Sequence, residues 1–105
     1  GINMSWESLL KRGRNSIDPS IRKPAIRKAL MEAADSVGPQ FSLPQIHKPF
    51  LENYERELRE KGVSPHGAAL HVKRYSEIRA FRTFASRYFN FIGQEKGVRI
   101  YERGD

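Results

Sequence analysis

Residues 64–93 read SPHGAALHVKRYSEIRAFRTFASRYFNFIG, and the fold turns on how far they continue as one helix. Ser64 is a natural N-cap and Pro65 suits a first helical turn, where its missing N–H would be unpaired anyway. Tyr75, Ile78, Phe81, Ala85, Tyr88, Phe89 and Ile92 then fall inward at helical spacing, and Gly93 is a helix-stop residue. This predicts a single helix from Ser64-Pro65 to about Ile92. At nearly thirty residues it is far longer than the usual 11–12, which leaves room for a bend or break near Gly67–Leu70.

Outward from this stretch, the punctuation marks further helices. Ser42 and Gln45 stand at capping-box spacing, with Pro44 tolerated in the first turn and Ile46, Phe50, Tyr54 and Leu58 repeating every four residues. Pro49 can kink that helix or reset its start to about His47, and Gly62 ends it. Before it, a helix from Pro24 to Val37 carries Ile26, Leu30, Ala33 and Val37 on one face and stops at Gly38-Pro39. A short helix, Trp6–Arg12, follows a Ser5 cap, and Gly13 closes it. After Gly93, Val98-Arg99-Ile100-Tyr101 alternates like a brief strand or an extended linker. The expected fold is therefore all-α: one domain over residues 1–105, a compact bundle of about four helices with a long C-terminal helix and a short extended tail at 98–105.

Composition narrows the function classes. The chain has 105 residues, 38% of them hydrophobic, with one Trp, four Tyr and six Phe, which is too rich in apolar groups for a disordered segment. It has no cysteine, so disulfide scaffolds, thiolate metal sites and a cysteine nucleophile are excluded. No apolar run approaches a membrane span, and no signal-peptide core is seen at the N-terminus. Nineteen Lys and Arg against twelve acids give a net charge of +7, which favours a polyanionic partner and a nucleoid-associated cytoplasmic or nuclear setting.

The excess charge is not spread evenly. Residues 1–38 carry seven bases and four acids, 39–62 four of each, and 63–97 six bases and two acids. In the last of these, Lys73, Ser76, Arg79, Thr83, Ser86 and Asn90 follow one another at helical spacing, flanked by Arg74, Arg82 and Arg87. Arginines among small hydroxyl and amide side chains are groups that contact phosphate oxygens and base edges. Any long helix shows water a polar face, but only Glu77 interrupts residues 63–94 with negative charge, whereas an ordinary solvated face mixes signs. Arg22, Lys23, Arg27 and Lys28 form a second basic cluster near a helix start, where the helix dipole itself disfavours cations. Lys11, Arg12 and Arg14 form a third.

Catalytic chemistry is not legible. There is no glycine-rich phosphate loop, GxSxG or HExxH, and His47, His66 and His71 lack companions at metal-ligand spacing, so no cofactor, metal or enzyme activity is expected. The acids of residues 52–60 alternate with bases as exposed ion pairs do.

The helix Phe50-Leu51-Glu52-Asn53-Tyr54-Glu55-Arg56-Glu57-Leu58-Arg59-Glu60-Lys61, closed by Gly62-Val63-Ser64, and the following Tyr75-Ser76-Glu77-Ile78-Arg79-Ala80-Phe81-Arg82-Thr83-Phe84 resemble the core-binding, SAM-like domain of tyrosine recombinases, the phage integrases, over about residues 50–97. The family shows a helix ending in Gly-Leu/Val-Ser, a helix with a Leu/Ile-Arg-x-Phe core, then a glycine and a linker, whose place Gly93–Gly97 and the tail would take. The resemblance implies a DNA-clamping module with Arg74, Arg79 and Arg82 facing DNA, and catalytic residues in a separate domain.

Two functions compete. One is a non-catalytic domain that clamps double-stranded DNA through basic helix faces; RNA in its place stays open. The other is a helical protein-interaction or oligomerisation module for an acidic partner, or for self-association, through Phe84, Tyr88 and Phe91. The spacing of Phe81, Phe84, Tyr88 and Phe91 also suits simple core packing.

Overall fold

A computed structural model describes residues 17–104 of the chain; the helix expected at Trp6–Arg12 and the Lys11, Arg12, Arg14 patch lie outside the described residues. The elements run α1 (Pro19–Val37), β1 (Gln40–Phe41), α2 (Leu43–Glu60), α3 (Pro65–Lys73), α4 (Ile78–Ala85), a 3₁₀ turn (Ser86–Tyr88), β2 (Asn90–Glu95) and β3 (Val98–Glu102).

α1 starts earlier than Pro24. Asp18 accepts a hydrogen bond from the Ser20 N–H at 2.9 Å and Pro19 takes the first helical position, so the helix is already capped five residues upstream. Pro24 then removes one backbone bond near an exposed helix start, where water can serve the freed carbonyl. α2 begins at its capping box: the Gln45 side chain accepts from the Ser42 N–H at 2.8 Å, and the helix runs through Pro49 without restarting. α1 and α2 pack as a helical hairpin, tied by Asn53 Nδ2 donating to the Ala29 carbonyl at 3.3 Å and by Lys28 to Glu57 at 3.3 Å. Ala25, Ala29, Ala33 and Ala34 are fully buried on α1, and such small side chains let the two backbones approach closely. Val37, expected inward, is exposed.

Phe50 is the hub of the core. Its ring lies 5.2 Å from Phe81, 5.3 Å from Tyr54, 5.6 Å from Phe84 and 5.9 Å from Tyr75. Two rings from α4, one from the α3–α4 turn and one from α2 itself thus converge on Phe50.

The long C-terminal helix is not formed, and three features describe the course the chain takes instead. First, the chain leaves α3 at Lys73 and turns through Arg74–Glu77. Tyr75 swings into the aromatic cluster, 4.2 Å from Phe84, and its carbonyl accepts from His47 Nε2 at 2.6 Å instead of from a helical N–H. A tertiary bond thus replaces the local one, and Ser76 Oγ takes the Lys73 carbonyl at 2.8 Å. Second, Gly67 does not break the helix; its N–H donates to the Ser64 cap at 3.1 Å in the first turn of α3. Third, from Asn90 onward the chain is a β-hairpin. Phe, Tyr and Ile are strong strand formers, and Lys96-Gly97, with φ of 54° and 82°, makes the two-residue turn with both residues left-handed that suits the strand twist. Gly93, read as a helix stop, sits instead at a β-bulge between Phe91 and Gly93 with φ 148°.

The fold is therefore mostly helical rather than all-α, with a small antiparallel sheet in the order β1-β3-β2. The tail expected as a brief strand or an extended linker is the central strand: Phe41 and Phe91 both pair with Tyr101, which is buried. Ile78 and Ile92, expected inward, are exposed, whereas Phe81, Ala85 and Phe89 are buried. No helix among the described residues is long and apolar enough to cross a membrane.

Candidate nucleic-acid interface

α4 is short and two-faced. Phe81 and Ala85 point into the core, and the opposite face carries Arg79, Arg82, Thr83 and, one turn on, Ser86. The hairpin stands across from that face. Between them, floored by Leu43, Pro44 and Tyr101, lies an open cleft of about 670 Å³ whose hairpin wall presents Gln94 and Arg99. Every charged side chain lining it is an arginine: Arg79, Arg82 and Arg99. None of the three forms an ion pair with a described residue.

The hydroxyls contribute differently from what the sequence suggests. Thr83 Oγ1 donates to the Arg79 carbonyl at 3.0 Å, and Ser86 Oγ donates to the Thr83 carbonyl at 3.2 Å. Their protons are spent inside the helix, so the cleft's charged donors are the three guanidinium groups, with the Gln94 amide beside them. Such a surface is suited to anions. The arginine forks match phosphate geometry, and a concave site focuses their field.

Of the residues singled out from sequence, the structure gathers Arg79, Arg82, Thr83 and Ser86 in the cleft. Arg87 lies exposed in the 3₁₀ turn and Lys73 at the end of α3, neither of them lining it. Asn90 opens β2 and Ser76 sits in the α3–α4 turn, so the single row of polar positions from Lys73 to Asn90 does not exist. Arg74 belongs to a different cluster. Burial raises the Tyr75 phenol above its ordinary range, and the nearby charges of Arg22 and Arg74 oppose that rise, so these two cations from α1 and the turn share one aromatic neighbour. Lys23 and Arg27 are exposed on α1. Lys28 reaches the buried Glu57 carboxylate, which Arg56 also approaches at 3.6 Å. That gives Lys28 a structural partner.

Arg99 and Gln94 were not anticipated. They face each other across the hairpin, and the alternation of Val98-Arg99-Ile100-Tyr101 does place Arg99 on the face of Tyr101. The missing signal was the Lys96-Gly97 turn, which pairs that segment with β2. Phe91 adjoins the same face: its ring packs edge-on to Tyr101 at 5.6 Å, and the Arg99 guanidinium stands 5.8 Å from its centroid. Phe84 and Tyr88, by contrast, are half-buried against the core. Among the described residues no three His, Asp or Glu side chains gather as a metal site requires.

No protein-family model, curated protein or solved structure matches this chain, so its function is argued from its own residues.

Proposed function

We propose that the chain is a non-catalytic DNA-binding domain that holds the duplex through the arginine-lined cleft between α4 and the hairpin. The observation that carries this is the convergence of Arg79, Arg82 and Arg99, from two elements distant in sequence, on one concavity without a lining acid. The shapes on either side agree with it. α3, a four-residue turn and α4 follow the order of a helix-turn-helix, and a two-stranded ribbon follows directly. A short helix and a β-ribbon are the two elements that a major groove admits. The net charge of +7 supplies long-range attraction to a polyanion. The sequence resemblance to recombinase core-binding domains over about residues 50–97 is in keeping with this reading, and the hairpin that takes the place of the expected linker is where the chain departs from that pattern.

Fluorescence-anisotropy titration tests the proposal with a mixed-sequence duplex of about 25 bp at several salt concentrations. The expected result is micromolar or tighter binding with a steep salt dependence, strongly weakened in Arg79→Ala/Arg82→Ala. Absence of binding at about 50 mM salt refutes it.

A further inference from the structure

The hairpin leaves a large aromatic ring in water beside a site built for phosphates. Phe91 is 54% exposed, the highest value among the exposed large hydrophobic side chains of the described residues. A lone exposed apolar residue is ordinary, but this one is held in place. Its edge meets Tyr101, itself buried at the cleft floor, and Arg99 stands over its ring.

The bulge is what brings these groups together. Side chains three apart on a regular strand point to opposite faces, yet Phe91 pairs with Tyr101 and Gln94 with Arg99, and Tyr101 and Arg99 share a face. The extra residue at Ile92–Gly93 restores Phe91 to the face of Gln94. One strand thus presents an amide that lines the cleft and, on the same face, a ring that adjoins it through Tyr101 and Arg99.

We propose that Phe91 is a stacking platform for an unpaired base at a DNA end, so that the cleft's preferred substrate is a duplex carrying a short single-stranded overhang. This inference rests on the DNA-binding reading and deepens it. An aromatic ring beside a basic groove is how single strands are held without sequence preference, because every base has a π-face. Bases inside a duplex are stacked on their neighbours, and only an unpaired one has a face free for Phe91. Arg99 reaches both the ring and the cleft, so it links the stacked base to the phosphates held by Arg79 and Arg82.

The test is anisotropy titration with three probes of one sequence: a blunt duplex, the same duplex with a short single-stranded overhang, and the overhang strand alone. Each is run with the native protein and with Phe91→Leu, which keeps an apolar side chain of similar size and removes the π-face. The expected result is that the overhang duplex binds about tenfold more tightly than the blunt one, and that Phe91→Leu abolishes this preference while blunt-duplex affinity stays unchanged. A thermal melt of Phe91→Leu checks that the exposed substitution leaves the fold intact. Equal affinity for blunt and overhang duplexes overturns the stacking platform and leaves the DNA-binding reading standing. Equal weakening of both duplexes by Phe91→Leu also overturns it. If no probe binds, the DNA-binding reading itself fails.

Discussion

Replacing Arg99 by Ala separates a strand beside α4 from a loose linker. Arg99 supplies one of the three guanidinium groups lining the cleft. Each phosphate neutralised on duplex DNA contributes about −0.9 to the slope of log K against log salt, so three cleft contacts account for roughly −2.7 and two for roughly −1.8. Over a fourfold rise in salt, that share of the affinity falls about 40-fold with all three arginines and about 12-fold with two. Arg103→Ala is the matched control. It changes net charge by the same amount, but Arg103 sits just past β3 and is bonded to Asp35. Anisotropy titrations at four salt concentrations then give three slopes. Arg99→Ala should be shallower than the native protein by about one unit, and Arg103→Ala should match the native protein. If the two variants show the same slope, only overall charge matters and the cleft assignment is wrong. Arg99→Lys, which keeps the charge, should recover most of the slope.

Other expectations concern the scaffold. Phe50→Leu removes the ring that four others pack on and should lower stability by about 1–3 kcal/mol, read as a fall in Tm of about 4–8 °C for each of those kcal/mol. Gly97→Val places a β-branched residue at φ 82° and should cost about 1–2 kcal/mol in urea unfolding, with DNA affinity falling in parallel as the hairpin opens. The phenols of Tyr54 and Tyr75 are both raised above their ordinary value of 10.0, chiefly by burial, so the fold favours their neutral forms. Their contribution is complete below pH 10.0 and is lost as pH climbs above it. Urea midpoints should therefore drop on the alkaline side, and less steeply in Tyr54→Phe. That variant should be no less stable at neutral pH, because the Tyr54 hydroxyl is buried without a hydrogen-bond partner among the described residues.

Much of the helical framework was legible because its signals are local. The Ser42/Gln45 box and the Ser64 cap each act within one turn, and Ile46, Phe50, Tyr54 and Leu58 are buried as their spacing indicates. Arg79, Arg82, Thr83 and Ser86 share a face for the same reason. What escaped the sequence depends on distant partners. The break after Lys73 is held by His47, twenty-eight residues from the carbonyl it binds. The hairpin was hidden because Phe81, Phe84, Tyr88 and Phe91 continue a helical spacing that is a coincidence of composition, and these ring types serve a strand equally well. Glycine added to the ambiguity, since Gly93 can end a helix or sit in a bulge. Half of the cleft was consequently invisible: the α4 wall could be read from residues three and four apart, whereas Arg99 joins it only through pairing with β2.

The sheet also sets an order of assembly. Phe41 meets its partner Tyr101 only after sixty more residues exist. At a synthesis rate of about 5–20 residues per second, β1 waits roughly 3–12 s for β3 on the ribosome. The α1–α2 hairpin, closed by a short connection, needs nothing that comes later to bury its alanines against α2. The cleft closes only once β3 has been made, and a chain halted before β3 would carry Arg79 and Arg82 on an exposed helix with no opposing wall. Binding competence therefore waits on the synthesis of β3.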